Sequence, residues 1–306
     1  MSSCRAHWYS NNKMMYYFLL AFAYLIAILP FRLLYMLSDL LCFLLYRVAG
    51  YRKGVVLENL RTAFPEQPEA AIKNTARRFY SAFCDQWLET VKLLTMSEKE
   101  LRKRFTGNWE LFAGLAEQHK NVYALLGHRF NWEWANAASS LNSPQQFAGI
   151  YLPVHNKAFD RLMLKIRRRT GSMLIPADRM RSHLRLLNGQ QHIIGFIADQ
   201  SPGNLKDAYW YHFLNRPAPF ISGSEKAAML AGAAVVYAGI HRVKRGYYTV
   251  RLELLTDNAR HMPPEWITRT YLQKLQQDIQ SQPYNWLWTH KRWKHQPGAE
   301  TVVRHL

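Results

Sequence analysis

Three cysteines in 306 residues are too few and too scattered to staple a fold. Cys4, Cys42 and Cys84 form neither an even set nor a C-x-x-C spacing, which excludes a disulfide framework and a thiolate metal centre; a reducing compartment is the simplest setting. Acidic residues are also scarce. The chain has 21 Asp and Glu against 40 Lys and Arg, a formal charge of +19. There is no G-x-S-x-G elbow, so nothing indicates a serine nucleophile of the α/β-hydrolase kind. Internal repeats, low-complexity tracts and long linkers are missing too. Apolar residues, in contrast, are plentiful: 49% of the chain is hydrophobic and 14% aromatic. Disordered chains are poor in both, so this is a folded chain with room for a sizeable core. A +19 surface draws polyanions, whether nucleic acid, anionic lipid or an acidic protein.

Met14–Phe31 is a stretch of 18 residues without a charge. As a helix it reaches about 27 Å, at the lower limit for crossing roughly 30 Å of hydrocarbon. Arg32 and Asp39 then interrupt further apolar sequence that runs to Tyr46. A secretory signal would end in a small-x-small cleavage site, and Ile28–Arg32 offers none. A buried core helix is the alternative. The interrupted pattern suits either one span with an interfacial helix or a shallow hairpin. Arg47, Arg52, Lys53 and Arg61 follow the run, whereas only Arg5 and Lys13 precede it, so the positive-inside bias places the body of the protein on the cytoplasmic face of a membrane. A basic body behind an anchor suits an enzyme of the membrane surface and argues against nucleic acid as a partner.

Tyr51–Pro65 is basic and amphipathic. Ile72, Ala76, Phe79, Phe83, Trp87, Val91 and Leu94 keep a helical period over Ala70–Leu94. From about residue 106, short apolar runs (Asn121–Leu126, Phe147–Tyr151, Ser172–Ile175, His192–Ile197, Ala233–Ile240, Tyr247–Leu255) alternate with helical segments (Asn131–Ser140, Lys157–Arg169, Arg179–Asn188, Glu225–Leu230, Glu265–Ser281). That alternation predicts an α/β domain with a layered mixed sheet flanked by helices. The expected division is an N-terminal tail and anchor at 1–50, a helical segment at 51–105 and a catalytic domain at 106–298.

Gly127-His128-Arg129-Phe130-Asn131-Trp132-Glu133 falls at a strand-to-helix junction, where an α/β sheet usually presents its ligand. His128 follows the strand and Glu133 lies in the first turns of the next helix. A carboxylate there can accept an imidazole N–H, fix the tautomer and leave the other ring nitrogen free to take a proton. With no nucleophile in sight, the chemistry this suggests is direct attack by a deprotonated substrate hydroxyl on an activated acyl carbonyl. A surface histidine in a chain with twelve of them is the alternative reading. No metal is implied, because His128 and Glu133 do not share a helical face as the histidines of H-E-x-x-H do.

These motifs resemble those of the late, lauroyl- and myristoyl-type lipid A biosynthesis acyltransferases, within the lysophospholipid acyltransferase superfamily. The resemblance runs from the anchor and Val55–Arg61 with Phe64-Pro65-Glu66, through the His128–Glu133 box, to Tyr151-Leu152-Pro153 with Asn156, Asp160 and Arg167-Arg168-Arg169. It continues in Ala198-Asp199-Gln200 and ends in Pro283–Lys294. It implies an O-acyltransferase of lipopolysaccharide biosynthesis on the cytoplasmic face of the inner membrane, with no cofactor. The donor would be acyl carrier protein or coenzyme A carrying a fatty acyl chain, and the acceptor a hydroxyl of an anionic saccharolipid. His128 would be the general base and Glu133 its orienting partner. Arg169 and Asp199 match positions associated with substrate binding, and Arg167 and Asn131 complete the candidate set. Thr289-His290 and Asp199-Gln200-Ser201-Pro202-Gly203 depart from the commonest pattern, which leaves room for another acceptor such as a lysophospholipid, an aminolipid or a glycolipid.

The three consecutive arginines would suit a phosphate or carboxylate clamp, since guanidinium forks match such oxyanions; a solvated helix end is the alternative. Arg102-Lys103-Arg104, Arg242-Lys244-Arg245 and Lys291-Arg292-Lys294 read as surface charge facing anionic lipid, one set of which could dock an acidic carrier. Trp286, Trp288 and Trp293 read as core with an interfacial edge.

Overall fold

The computed structural model describes residues 2–187 and 189–306, with side chains from residue 13 onward apart from that of residue 181. Five helices come first: α1 (Ser2–Ala27), α2 (Phe31–Phe43), α3 (Lys53–Ala63), α4 (Glu69–Lys92) and α5 (Glu98–Arg104). Strand β1 (Phe105–Gly107) and helix α6 (Glu110–Glu117) lead into an alternating region. It comprises β2 (Val122–Leu126), α7 (Trp132–Asn142), β3 (Gln146–Tyr151), α8 (Lys157–Arg167), β4 (Met173–Pro176), a short α9 (Met180–Leu184) and β5 (His192–Ile197). A hairpin of β6 (Ala208–Phe213) and β7 (Arg216–Ile221) follows. Then come α10 (Gly223–Ala231), β8 (Ala234–Lys244), β9 (Tyr247–Thr256), α11 (Trp266–Ser281) and β10 (Val303–His305).

Seven strands form one mixed sheet in the order β1-β9-β8-β2-β5-β3-β4. β8, β2, β5, β3 and β4 run parallel, and β9 is antiparallel to β8. The layered α/β expectation is therefore met. β2 is buried at all five positions, as a central parallel strand covered on both faces should be. A second sheet, β10-β6-β7, was not anticipated. Pro217 and Pro219 in β7 argue against a strand by composition. They are tolerated because β7 is the outer strand of that sheet, where prolines lack no ladder partner. The expected helix over 179–188 is broken into short turns around α9; residue 188 lies outside the described residues.

Helix α4 explains where much of the positive charge goes. Its apolar residues Ile72, Ala76, Phe79 and Tyr80 are buried, and so are Asp85 and Glu89 further along. Asp85 accepts from Arg242 at 2.5 Å, from Arg245 at 2.7 Å and from Ser38 at 2.6 Å. Glu89 accepts from the hydroxyls of Tyr35 and Tyr248 and from the Asn131 amide. Buried carboxylates need such partners, so Arg242 and Arg245 of the β8–β9 turn face inward rather than toward lipid, while Lys244 is exposed. Arg102 and Arg104 are also engaged, with Asn142 and with Glu100 and the Gly246 carbonyl.

At the N-terminal end no single described helix is long and apolar enough to cross a bilayer. Lys13–Ala27 and Phe31–Val48 form a bent pair at 117°. They pack against α4 and α8, yet Phe18, Phe22, Leu25, Met36, Leu40 and Phe43 on them are exposed.

Candidate active site

β2 and β5 are neighbouring parallel strands in which Leu126 pairs with Ile197. The residues just beyond each strand therefore meet at the same edge of the sheet, where a mixed α/β fold can place ligands. One strand delivers Gly127-His128, the other Ala198-Asp199. His128 Nδ1 lies 2.6 Å from Asp199 Oδ1, and the His128 backbone N–H donates to Asp199 Oδ2 at 2.8 Å. The Trp286 indole N–H donates to the same Oδ2 at 2.6 Å. Gly127 is required here: a Cβ on it would come within 2.6 Å of Leu275 and 3.0 Å of Asp199.

Asp199 is 1% exposed. Burial alone pushes its carboxyl up, but the His128 ring, the Trp286 N–H and the His128 backbone N–H together hold it below the ordinary carboxylate value. An ionised Asp199 accepting from Nδ1–H leaves Nε2 as the acceptor nitrogen. The Gln200 amide lies 3.3 Å from Nε2, and an amide can only donate to that nitrogen. The ring is thus held in the tautomer of a general base, and Trp132 packs edge-on against it at 5.1 Å.

The expectation for Glu133 is corrected by this geometry. Its carboxylate is gripped by Arg167 through a fork of 2.8 and 2.6 Å, and the Trp132 indole N–H adds a third bond. A guanidinium offers a bidentate match that an imidazole cannot, so Glu133 goes to Arg167 and Asp199 takes the histidine. The pair raises the Arg167 guanidinium above its ordinary value despite the opposing effect of burial. Arg169, expected at the substrate, is exposed and donates to the Leu94 carbonyl. Asn131 is fully buried: its side chain caps α7 by accepting from Trp134 N and donates to Glu89. It is a structural cap, since Asn in the extended region before a helix satisfies an orphan N–H. The arginine clamp therefore dissolves into one ion pair and two exposed cations.

A cavity of about 530 Å³ opens beside the ring. Its polar lining includes His128, Glu133, Arg167 and Gln200. Its apolar lining includes Phe112, Leu126, Phe147, Ile150, Phe196 and Ile240. Small residues on the strands, Ala124, Gly149, Gly195 and Ala238, leave the room. The volume falls within the usual range for a small-ligand site, about 300–1,000 Å³. Apolar walls with a few convergent polar groups describe a place for a hydrocarbon chain with a reactive end.

Family comparison fits that description. The model of the bacterial lipid A biosynthesis acyltransferases matches residues 6–295. The chain belongs to that family. No curated protein matches it. As a member of the family it is an acyltransferase acting on a lipid acceptor.

The Ala198-Asp199-Gln200 and Pro283–Lys294 motifs supply further parts of the site, although their contacts could not be read from sequence. Trp286 and Gln200 act through contacts to residues 87 and 72 positions away. His290 accepts from the Ser201 backbone N–H at 3.1 Å, and buried Arg292 holds the Ser201 hydroxyl and the Pro219 carbonyl. Burial, then the adjacent Arg292, pushes His290 down to about 4, so it stays neutral and can accept. Burial pushes Arg292 down to about 9. Trp286, Trp288 and Trp293 are all buried, which makes them core. Among the described residues no three His, Cys, Asp or Glu side chains converge as a metal site would need.

Proposed function

We propose that the protein transfers a fatty acyl chain from a thioester, on acyl carrier protein or coenzyme A, to a hydroxyl of a lipid A precursor, with His128 as general base and Asp199 as its orienting carboxylate. The observation that carries this reading is the 2.6 Å contact between His128 Nδ1 and buried Asp199 at the mouth of an apolar cavity. The acceptor hydroxyl gives its proton to Nε2 as its oxygen attacks the thioester carbonyl carbon. When the tetrahedral intermediate collapses, the C–S bond breaks, the thiolate takes the proton back from the imidazolium, and an ester and a free thiol result. Asp199 stabilises the transient imidazolium. The Gln200 amide, at 3.3 Å from Nε2, gives way to the hydroxyl and donates to the developing oxyanion. The apolar lining holds the acyl chain, at about 0.8 kcal/mol per buried methylene, and the Glu133–Arg167 pair holds the polar end of the substrate.

The exposed apolar side chains of α1 and α2 fit burial in one leaflet of the inner membrane. The segment 13–48 then lies in the interface as a bent anchor, with the sheet on the cytoplasmic side and Arg47, Arg52 and Lys53 at the head groups. Purified enzyme supplied with acyl carrier protein loaded with a fatty acid and a hydroxyacylated saccharolipid tests the reading. Acyl transfer that is lost in His128→Ala supports it; equal turnover by wild type and His128→Ala overturns it.

A further inference from the structure

Internal partners absorb most of the basic runs. Arg242 and Arg245 serve Asp85, Arg104 serves Glu100, Arg167 serves Glu133, and Arg292 is buried against Ser201. Lys291, Lys294 and Arg216 are different. They come from two separate segments and line a single pocket of about 310 Å³, and their side chains form no hydrogen bond or ion pair with the described residues. Glu58, on α3, is the one acidic residue in that lining, so the pocket keeps a net positive charge. Thr62 adds a hydroxyl from the same helix, and Trp293 an aromatic wall. The Trp293 indole N–H is buried without an acceptor.

The walls are pinned to each other. Asn59 on α3 donates to the carbonyls of Trp288 and His290, and Arg52 to that of Thr289. Asn215, in the β6–β7 turn beside Arg216, donates to the Ala63 carbonyl at the end of α3. The cations are thus presented by a fixed frame, so a ligand need not order the backbone. Alternate residues of one loop serve two places. His290 and Arg292 hold Ser201, which lines the catalytic cavity, while Lys291 and Lys294 line this second pocket.

We propose that this pocket is a phosphate-binding site, taking a phosphate monoester: the phosphorylated sugar head group of a lipid, or free phosphate. Three cations whose side chains have no partner and a hydroxyl match the charge and acceptor-rich oxygens of such a group. The head-group source rests on the acyl-transfer reading, because the shared loop would let one lipid reach the catalytic cavity while its phosphate is held here.

Isothermal titration of the full chain with glucosamine 1-phosphate, inorganic phosphate and unphosphorylated glucosamine reads the site with no acyl transfer involved. The phosphorylated sugar should bind and glucosamine should not. Affinity should fall at least tenfold in Lys291→Gln/Lys294→Gln and in Arg216→Gln, and stay unchanged in His128→Ala. Tighter binding of the sugar phosphate than of inorganic phosphate assigns the site to a head group; equal binding assigns it to free phosphate. If neither phosphate binds, or if both cation variants melt like wild type and bind as tightly, the proposal is overturned. Intact phosphate binding in an enzyme that transfers no acyl chain would remove the acyl-transfer reading and leave this site standing.

Discussion

Asp199 and Glu89 are equally withdrawn from water, one just past the end of β5 and the other in the last turn of α4, and burial pushes both carboxyls up. Asp199 faces the His128 ring and two N–H donors, which hold it below the ordinary value. Glu89 accepts comparable hydrogen bonds but sits beside Asp85, and rises to about 7. With burial raising both, the neighbours decide the difference between them. The two also differ in reach. Asp199 is separated from a cavity by a single imidazole, whereas Glu89 is enclosed by Tyr35, Asn131, Trp134 and Tyr248. The same side-chain chemistry orients a ring beside a cavity in one place and ties helices to the sheet in the other.

The comparison can be broken at several points. The largest effect is expected at the ring: His128→Ala should lower the rate of acyl transfer by up to about 10⁴-fold, the upper end of the typical general-base contribution of about 10²–10⁴-fold. Asp199→Asn comes next, at about 10²–10³-fold in kcat with the fold intact, because an amide can favour the wrong tautomer. If Asp199→Asn were silent and Glu133→Gln as damaging as His128→Ala, the roles of the two carboxylates would be reversed. Asp85→Asn should leave chemistry alone but strand Arg242 in the core, costing about 3 kcal/mol in chemical denaturation. Glu133→Gln should loosen Arg167 and raise KM about tenfold with a smaller change in kcat.

The smallest effects are in pH dependence, and they carry opposite signs. Glu89 has a raised folded pKa, so its contribution to stability is complete below the ordinary carboxylate value and is lost as pH rises through about 7. Asp199 has a lowered one, so its contribution is present above the ordinary value and is lost as pH falls through the folded value. His290, pushed down to about 4, disfavours the fold as pH falls from 6.5 toward 4, because the unfolded chain takes up the proton first. Denaturation midpoints measured from pH 4 to 8 should flatten between about pH 4.5 and 7 in Glu89→Gln and below pH 6.5 in His290→Gln.

Much of the frame was legible. The apolar period of α4 and the short runs that became β2, β3, β5, β8 and β9 could be read because helix and strand repeats are local. His128 could be singled out for the same reason, as the residue after a strand. The β6–β7 hairpin was hidden by its two prolines and by a Leu214-Asn215 turn whose left-handed backbone lacks the usual Asn-Gly signature. Asp199 was singled out as a site residue, but its pairing with His128 was not read. Glu133 is five residues away and Asp199 seventy-one, and proximity in sequence favoured the wrong one.

By itself the sequence determined the α/β class, the apolar N-terminal run, the family and the histidine, since each rests on composition, period or a contiguous motif. The tertiary structure alone decided which carboxylate meets that histidine, which cations are used up inside the molecule, and which are left facing a pocket. Those choices depend on the register of β2 beside β5 and on the packing of the β8–β9 hairpin and the C-terminal loop. They are long-range pairings, settled only when the chain closes on itself.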